Sequence, residues 1–286
     1  MEWRGARRST NIEDRRGMRI HPGVVGGGLG TIVLLLLALY FGVDPRYVLN
    51  RDGVEANESG PVSTSPADET TKDFVSAVLG YTEDTWSEIF RSMGRTYQEP
   101  KLVLFTGEIE SACGFAQAAT GPFYCPQDDK VYLDMSFFQE LSDRFKAPGD
   151  FAQAYVIAHE IGHHVQNLLG ISRQVQAFRN RASQAEANRA SVRMELQADC
   201  LAGVWAGRTE QAEESQLHQF LETGDVEEAL RAASMIGDDR LQMQAQGYVV
   251  PESFTHGTAE QRLRWFNTGF HANSLSDCDT FNRAGP

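Results

Sequence analysis

An uncharged apolar run covers residues 22–43, which contain no Lys, Arg, Asp or Glu. A helix of this length spans a hydrocarbon core of about 30 Å. A secretory signal peptide has a shorter apolar core and a small-residue cleavage site, whereas this run ends in Tyr40 and Phe41, aromatic residues typical of membrane interfaces. The run therefore predicts a transmembrane helix. The alternative, a buried core helix, is disfavoured by its length and by the basic segment before it.

Between residues 44 and 69 the hydrophobic pattern disappears, and Ser, Pro, Gly, Asn and charged residues dominate. Such a composition is typical of a flexible linker. We therefore expect a folded domain over residues 70–286. Its first element is predicted to be a helix over residues 71–93, with a break at Gly80.

Short apolar segments separated by turn residues follow this helix. Residues 101–106 form a compact apolar run, and residues 123–125 and 131–134 repeat the pattern. These segments predict a small, mostly antiparallel sheet. From Met135 the spacing of apolar residues is helical almost to the C-terminus. A short sheet followed by helices indicates an α+β domain.

Charge is distributed unevenly along the chain, whose formal net charge is -13. Residues 1–21 are basic, with six Arg against three acidic residues, and only Arg46 and Arg51 follow the predicted span closely. The positive-inside rule therefore predicts a cytoplasmic N-terminal tail over residues 1–21 and an extracytoplasmic domain. An acidic domain repels phosphate backbones, which argues against a nucleic-acid partner.

Four cysteines lie in the predicted extracytoplasmic domain: Cys113, Cys125, Cys200 and Cys278. An even number in an oxidising compartment indicates two disulfides. Cys113 and Cys125 flank a segment with Gly and Pro and can close a hairpin-like loop, which leaves Cys200 and Cys278 as the second pair. The alternative is four free thiols. No C-x-x-C spacing occurs, which argues against a cysteine zinc site.

The strongest chemical signal is the motif HEIGH at residues 159–163. It lies within a helix predicted over residues 150–169, with Asp150 as its N-cap and Gly170 just beyond its end. The apolar residues of this helix recur at helical spacing and form one face. The two histidines of the motif lie on a different face, where they are free to bind a ligand.

His159 and His163 are four residues apart and stand one turn apart, so both rings can bind one Zn²⁺. Glu160 is rotated by about 100° and lies where a base can take a proton from a zinc-bound water. The alternative is a pair of structural histidines. The neighbouring His164 points about 100° away from His163 and is expected to pack or to be partly exposed.

A catalytic zinc site uses three protein ligands, and the segment MELQADC at residues 194–200 contains the best candidate for the third. Glu195 and Asp199 are also four residues apart. We assign Glu195 to the metal and Asp199 to the distal N–H of His159, because such a carboxylate fixes the tautomer of a ligand histidine. An acidic pair at this spacing is usually a solvated face, but its apolar neighbours indicate here that it faces inward.

HEIGH followed by ELQAD resembles the gluzincin pattern, in which a glutamate is the third ligand. The chain also resembles, nearly from end to end, the bacterial family of putative neutral zinc metallopeptidases. The segments that carry this resemblance are MEWRGARRSTNIEDRRG, the glycine-rich span, SACGFAQAATGPFYCPQDDKVYLD, AHEIGHHVQNLLG, RMELQADCLAGVWA and SFTHGTAEQRLRWF. The resemblance implies a zincin-like fold and a single-pass anchor in the bacterial cell membrane. It also implies Zn²⁺ held by His159, His163 and Glu195, with Glu160 as general base.

Zincins related to this pattern often carry a His or Tyr after the third ligand that stabilises the tetrahedral oxyanion. His256 is the candidate here, and a donor aimed at the developing charge lowers the barrier. The alternative for His256 is a role in helix capping or in a loop. Arg262, in the helical pattern that follows, either supports the site or forms a salt bridge.

These features predict a membrane-anchored zinc metalloendopeptidase that hydrolyses peptide bonds with zinc-activated water and Glu160 as base. Its partners would be a peptide or protein substrate and the membrane, and the sequence assigns no oligomeric state. An extended substrate is expected to add to an edge strand at residues 131–134. The alternatives are a non-catalytic scaffold protein stabilised by zinc, and a membrane-anchored assembly protein that docks through its helical half.

Overall fold

The structure, a computed structural model, describes residues 1–17, 65–117, 121–213 and 220–282. The described part is a mixed α+β fold in which helices predominate. Its strands are β1 (Ile12–Asp14), β2 (Lys101–Phe105), β3 (Glu108–Ser111), β4 (Gly114–Gln117), β5 (Phe123–Cys125) and β6 (Lys130–Asp134). Its α-helices are α1 (Pro66–Ser92), α2 (Ser136–Asp143), α3 (Asp150–Leu168), α4 (Ile171–Arg179), α5 (Gln184–Glu213), α6 (Asp225–Met235), α7 (Asp238–Gln246) and α8 (Ala259–Phe270). Two 3₁₀ helices complete it, η1 (Pro251–Ser253) and η2 (Leu275–Cys278).

The predicted membrane span over residues 22–43 lies outside the described residues, as does most of the predicted linker over residues 44–69. Within the described ranges, no helix combines the length and the apolar character that a membrane crossing needs.

Four strands form the main sheet, in the order β1-β2-β6-β5. β1 pairs with β2, and β2 with β6, in parallel, whereas β5 pairs with β6 antiparallel. A separate antiparallel hairpin joins β3 to β4. The prediction of a mostly antiparallel sheet is therefore wrong for the main sheet. Parallel strands are joined by long connections rather than tight turns, so no local turn signal reveals their pairing.

The predicted edge strand at residues 131–134 is also wrong. These residues belong to β6, which lies inside the sheet between β2 and β5. The edge strand next to them is β5, paired to β6 so that Tyr124 stands opposite Val131. The sequence of a short apolar strand does not show whether the strand lies inside a sheet or at its edge, because both kinds of strand have the same pattern.

α1 is one continuous helix that begins earlier than the predicted domain start at residue 70. Ser65 caps it, because the Ser65 hydroxyl accepts a hydrogen bond from the Asp68 backbone N–H, and the Asp68 carboxylate accepts one from the Ser65 N–H. The helix continues through Gly80, where a break was predicted. Gly80 permits a close approach instead, since a Cβ there would lie 2.8 Å from the carbonyl oxygen of Arg7.

Residues 1–17 pack against α1 and the sheet. β1 extends the sheet beside β2, and the ring of Trp3 packs edge-on against Phe74 of α1, with ring centroids 5.5 Å apart. The buried carboxylate of Glu83 accepts hydrogen bonds from three side chains of this segment, those of Arg7, Ser9 and Asn11. The basic N-terminal residues therefore neutralise acidic side chains of the domain.

Of the predicted basic tail over residues 1–21, the structure thus places residues 1–17 against the domain, whereas residues 18–21 lie outside the described part. This packing bears on the predicted membrane topology, which stays a prediction. A single crossing by residues 22–43 would place residues 1–17 and the domain on opposite sides of the membrane. Strands paired in one sheet must lie on the same side, as β1 and β2 do.

α3 runs through the main core, where its apolar residues are buried. α5 packs against α3, and α8 packs along α5. Large side chains fill the space between these helices, among them Phe151, Tyr155, Trp205 and Phe266. Since full burial of one large apolar side chain contributes about 1.5–3 kcal/mol, these contacts hold the three helices that carry the chemistry in a fixed arrangement.

Both predicted disulfides are present. Cys113–Cys125 links the β3–β4 turn to the end of β5. Cys200–Cys278 links α5 to η2. The second bond closes a loop that includes α6, α7 and α8, and it holds the C-terminal segment against α5 directly beside Asp199. None of the described cysteines is free.

Candidate metal centre

Local sequence determines where α3 begins and ends around the motif. Gly149 is the N-cap, whereas the predicted cap Asp150 is the first helical residue, a position where the helix dipole favours a carboxylate. The helix ends at Leu168, and Gly170 has a left-handed φ of 81°, which costs glycine little. Residues 159–163 therefore lie in regular helix, with the predicted spacing intact.

The structure brings His159, His163 and Glu195 together, as predicted. Nε2 of His159 lies 3.2 Å from Oε2 of Glu195, and Nε2 of His163 lies 3.5 Å from Oε1 of Glu195. The three donor atoms lie within 4.8 Å of one another. In a tetrahedral zinc site with bonds of about 2.1 Å, neighbouring donor atoms are about 3.4 Å apart. The donor set and its spacing therefore fit Zn²⁺.

Glu195 reaches the two histidines because α5 lies directly against α3. The contact is centred on Gly162, whose missing side chain admits the backbone of α5 at Ala198. Glu195 and Asp199 stand one turn apart on α5, so both carboxylates face the histidines of α3.

Asp199 binds the other ring nitrogen of His159, also as predicted. Its Oδ1 lies 2.9 Å from Nδ1 of His159, so this nitrogen donates its proton and Nε2 is left to bind a metal. Arg262 donates two hydrogen bonds to the same carboxylate, each 2.9 Å long. The two alternatives stated for Arg262 are thus both realised, because its salt bridge supports the carboxylate that orients a metal ligand.

Tyr155 belongs to the same buried group, although sequence analysis missed it. Its hydroxyl donates a hydrogen bond to Asp199 and accepts one of 3.1 Å from Arg262. The signal was available in the sequence, since Tyr155 precedes His159 by one helical turn and lies on the same face. The sequence alone does not distinguish a tyrosine at this position from a core residue, because its contact with Asp199 depends on the packing of α5 against α3.

The charges of this group are balanced against burial. Burial raises the pKa of Asp199, but the charges of Arg262 and His159 lower it overall. Burial lowers the pKa of His159, but the Asp199 carboxylate raises it to about 10. Burial also opposes the ionisation of Glu195, yet the two histidines keep its pKa well below its ordinary value. The site therefore favours positive charge, supplied either by protons or by a metal cation.

Glu160 lies next to the metal ligands without taking part in the cluster that they form. Its side chain is buried, and burial raises its pKa, while the positive charges of His163 and His159 and the backbone N–H of Tyr124 oppose that rise. A carboxylate with a raised pKa accepts a proton more readily than an ordinary one, as a general base must. The contact with Tyr124 also places the edge strand β5 beside this carboxylate.

His164 and His256 have different surroundings. His164 is buried rather than partly exposed; its Nε2 lies 2.6 Å from the Gln98 carbonyl oxygen, and burial lowers its pKa. His256 is half-exposed, with Nδ1 3.2 Å from Oδ1 of Asp238. The hydrogen bond to Asp238 raises the pKa of His256, burial opposes this, and the charge of Glu195 adds to the rise. His256 is therefore within electrostatic reach of the metal ligands.

A second group of carboxylates, Asp150, Asp225 and Glu228, also lies close together. The ammonium group of Met1 accounts for it, since its nitrogen lies 2.8 Å from Asp150 and 3.2 Å from Asp225. Elsewhere, a cavity of about 770 Å³ lies between α4, the start of α5 and the C-terminal segment. Its walls include Gln197 and none of the metal-binding side chains.

Comparison with known proteins agrees with this geometry. The sequence model of the family described as putative neutral zinc metallopeptidase matches residues 1–281. The chain is 49% identical over 293 residues to the uncharacterized protein YpfJ of Escherichia coli (strain K12), covering 99% of this chain and 100% of that protein. It is 38% identical over 256 residues to the uncharacterized protein Rv2575 of Mycobacterium tuberculosis (strain ATCC 25618 / H37Rv), covering 86% of each. No solved structure matches the chain.

Proposed function

Because the chain belongs to the putative neutral zinc metallopeptidase family, we propose that it is a zinc-dependent endopeptidase with a zincin-like catalytic domain. His159, His163 and Glu195 would hold the ion. One observation carries the proposal: three donor atoms that lie within 4.8 Å of one another stand beside a buried carboxylate, Glu160, that is not one of them. A purely structural zinc site is closed by four ligands and needs no such neighbour.

A zinc ion held by these residues would polarise the peptide carbonyl and acidify the attacking water. Glu160 is the proton carrier of the reaction. Its carboxylate accepts a proton from that water and then delivers it to the departing amine nitrogen. Burial raises the pKa of Glu160, which makes its carboxylate a stronger proton acceptor for the first half of this transfer.

The edge strand β5 is the proposed seat of an extended substrate. The motif helix α3 contacts β5. Burial raises the pKa of Glu160 and the backbone N–H of Tyr124 opposes that rise, so a peptide that paired with β5 would run close to the proton carrier. Pairing with a sheet edge supplies backbone hydrogen bonds that are independent of side-chain sequence. The pairings among the described strands leave one side of β5 without a partner.

His256 is the proposed donor to the oxyanion that forms at the carbonyl. Asp238 contacts its Nδ1, so Nε2 would be the atom that donates to the oxyanion, and the hydrogen bond to Asp238 raises the pKa of the ring. A donor aimed at developing negative charge contributes about 3 kcal/mol to the lowering of a barrier. Arg262 is not proposed for this role, because Asp199 already occupies its guanidinium.

The proposed location is a bacterial cell membrane, with the chain attached through residues 22–43 and the domain outside the cytoplasm. Two disulfides support an oxidising compartment. The pairing of β1 with β2 modifies the single-pass arrangement, because residues 1–17 must then share the side on which the domain lies.

The test is digestion of an unbiased peptide library by the full-length protein, with zinc content measured on the same samples. The wild type should cleave peptides, whereas Glu160→Gln should retain zinc and lose at least about 10²-fold in rate. Glu227→Gln makes the same chemical change at an exposed position of α6 and should leave the rate unchanged. Undiminished turnover in Glu160→Gln would refute the mechanism. Stoichiometric zinc without cleavage of any peptide would instead support the scaffold alternative.

A further inference from the structure

The second ring nitrogen of His163 contacts an amide rather than a carboxylate. Nδ1 of His163 lies 2.9 Å from Oε1 of Gln166, one turn further along α3. The Gln166 side chain is fully buried. This arrangement differs from that of His159, whose Nδ1 contacts Asp199.

The orientation of the Gln166 amide is determined by its other contacts. Its nitrogen lies 2.8 Å from the backbone oxygen of Met194 and 3.1 Å from Oε1 of Gln197. Gln197 in turn donates its own nitrogen, at 2.9 Å, to the backbone oxygen of Cys278. Backbone carbonyl oxygens can only accept hydrogen bonds. Each amide must therefore direct its nitrogen at a backbone carbonyl. The oxygen of Gln166 then faces His163, and the oxygen of Gln197 faces the nitrogen of Gln166.

It follows that the oxygen of Gln166 faces His163 and can only accept. The Nδ1 atom of His163 must then carry the ring proton, which leaves the lone pair of Nε2 on the side of Glu195. We propose that Gln166 is a positioning residue that selects this tautomer and ring orientation of His163 for metal binding. Gln197 and the Cys278 carbonyl keep Gln166 in place. The inference rests on the zinc site of the proposed function and does not depend on peptidase activity.

The chain of hydrogen bonds also connects the metal centre to the C-terminal segment. The Cys200–Cys278 disulfide holds the Cys278 carbonyl against α5, and Gln197 is buried between that carbonyl and Gln166. A metal ligand on α3 is thus oriented through residues of α5 and η2. Groups that orient metal ligands typically contribute about 10-fold to 100-fold to metal affinity.

The test measures the zinc dissociation constant of the full-length protein by competition with a chelator. Gln166→Met keeps the volume and removes the acceptor, so zinc affinity should fall by roughly 10-fold to 100-fold. Gln197→Met leaves the contact between Gln166 and the Met194 carbonyl in place, so its loss of zinc affinity should be smaller than that of Gln166→Met. Leu79→Ala is the control for stability: Leu79 is buried in α1, so this variant should unfold more easily without changing the zinc affinity of the folded protein.

Gln166→Glu separates positioning from packing. A glutamate still accepts from Nδ1–H of His163 but cannot donate to the Met194 carbonyl when ionised, so it should destabilise the fold more than Gln166→Met does. The zinc affinity of Gln166→Glu should nevertheless be closer to that of the wild type than the affinity of Gln166→Met is. A purely structural role predicts the opposite order of affinities.

A second measurement observes the tautomer directly. In the zinc-loaded wild type, a ¹⁵N-labelled histidine should show a protected ring N–H at Nδ1 of His163. The signal should persist in Gln166→Glu and exchange rapidly with water in Gln166→Met. An unchanged zinc dissociation constant together with a protected N–H in Gln166→Met would overturn the proposal. Failure of the wild type to bind zinc would overturn it together with the proposed function, whereas zinc binding without peptide cleavage would leave only the proposed function refuted.

Discussion

Gly162 on α3 and Ala198 on α5 meet backbone to backbone, and a Cβ added to Gly162 would lie 2.9 Å from the Ala198 carbonyl oxygen. This contact lies between the histidine pair of α3 and the carboxylate pair of α5. His159 and His163 flank Gly162 in the sequence, as Glu195 and Asp199 flank Ala198. The separation of the two helices therefore determines whether the carboxylate of Glu195 can reach both imidazoles.

Gly162→Ala is accordingly expected to weaken zinc binding although it changes no ligand. The added methyl group must push α5 away from α3, which costs about 1–3 kcal/mol in stability and lengthens the distance from Glu195 to the histidines. Chelator competition and denaturant unfolding measure the two effects. Gly5→Ala is the matched control, because a Cβ there would meet nothing within 4 Å. Equal zinc affinity of Gly162→Ala and the wild type would show that the separation of α3 and α5 does not determine how well the site binds zinc.

Asp199→Asn is expected to be severe because it removes the counter-charge of a buried arginine. Arg262 would be left with an uncompensated charge, a situation that typically costs about 3–5 kcal/mol. The double variant Asp199→Asn with Arg262→Met removes both charges, so its loss of stability should be smaller than the sum of the two single losses. Urea unfolding of the four proteins measures this coupling. Additive losses would contradict the direct pairing of the two side chains.

Zinc binding is expected to release protons and to strengthen as pH rises. Burial lowers the pKa of His159, but the Asp199 carboxylate raises it to about 10, so the metal-free ring is protonated at neutral pH and zinc must displace that proton. Affinity should rise about tenfold per pH unit for each proton released and level off near pH 10. Calorimetry in buffers of different ionisation enthalpy counts the protons. Zinc binding to Asp199→Asn should release fewer protons than zinc binding to the wild type. Zinc binding to the wild type without proton release would contradict the protonated state of metal-free His159.

The attachment of β1 is expected to weaken in acid. A hydrogen bond from Lys130 lowers the pKa of Glu13, and burial opposes this. A further hydrogen bond from Arg15 adds to the lowering, which takes the pKa from 4.5 to about 2. A carboxylate with a depressed folded-state pKa stabilises the fold fully above pH 4.5, and this stabilisation is lost as pH falls toward 2. Solvent screens these contacts near the surface, so they contribute well below the about 3.4 kcal/mol to which the full shift corresponds. Unfolding measured between pH 6 and 2.5 should be less pH-dependent in Glu13→Gln than in the wild type.

Residues 1–17 and the domain are expected to be accessible from the same side of the membrane. Both native disulfides leave the described part of the chain without free thiols, so a cysteine introduced at Gly5 or at Gln244, both exposed, reports its own accessibility. A membrane-impermeant thiol reagent added to intact cells should label both variants or neither. Labelling of only one would restore the single-crossing topology that the charge distribution predicts.

Part of the fold and most of the metal centre could be predicted from the sequence. His159 and His163 share a face because helical periodicity places residues four apart one turn apart, and the same holds for Glu195 and Asp199. Both disulfides followed from the number of cysteines and the turn residues between Cys113 and Cys125. These inferences depend on local spacing, which the backbone geometry makes nearly independent of the rest of the fold.

Other features depended on residues far apart in the chain. The parallel position of β1, the interior position of β6 and the contacts of Gln166 with Met194 and Gln197 have no signature in local spacing. Nothing in the local sequence distinguishes Tyr155 or Gln166, because their hydrogen bonds form only when α5 lies beside α3.

The sequence by itself therefore determined which side chains could bind a metal and which carboxylate could serve as a base. Only the tertiary structure decided how those side chains are oriented, and that residues 1–17 belong to the same folded unit. The physical reason is that periodicity is a property of one element. Pairing between elements is selected by the summed free energy of burial, hydrogen bonds and charge contacts across the whole domain.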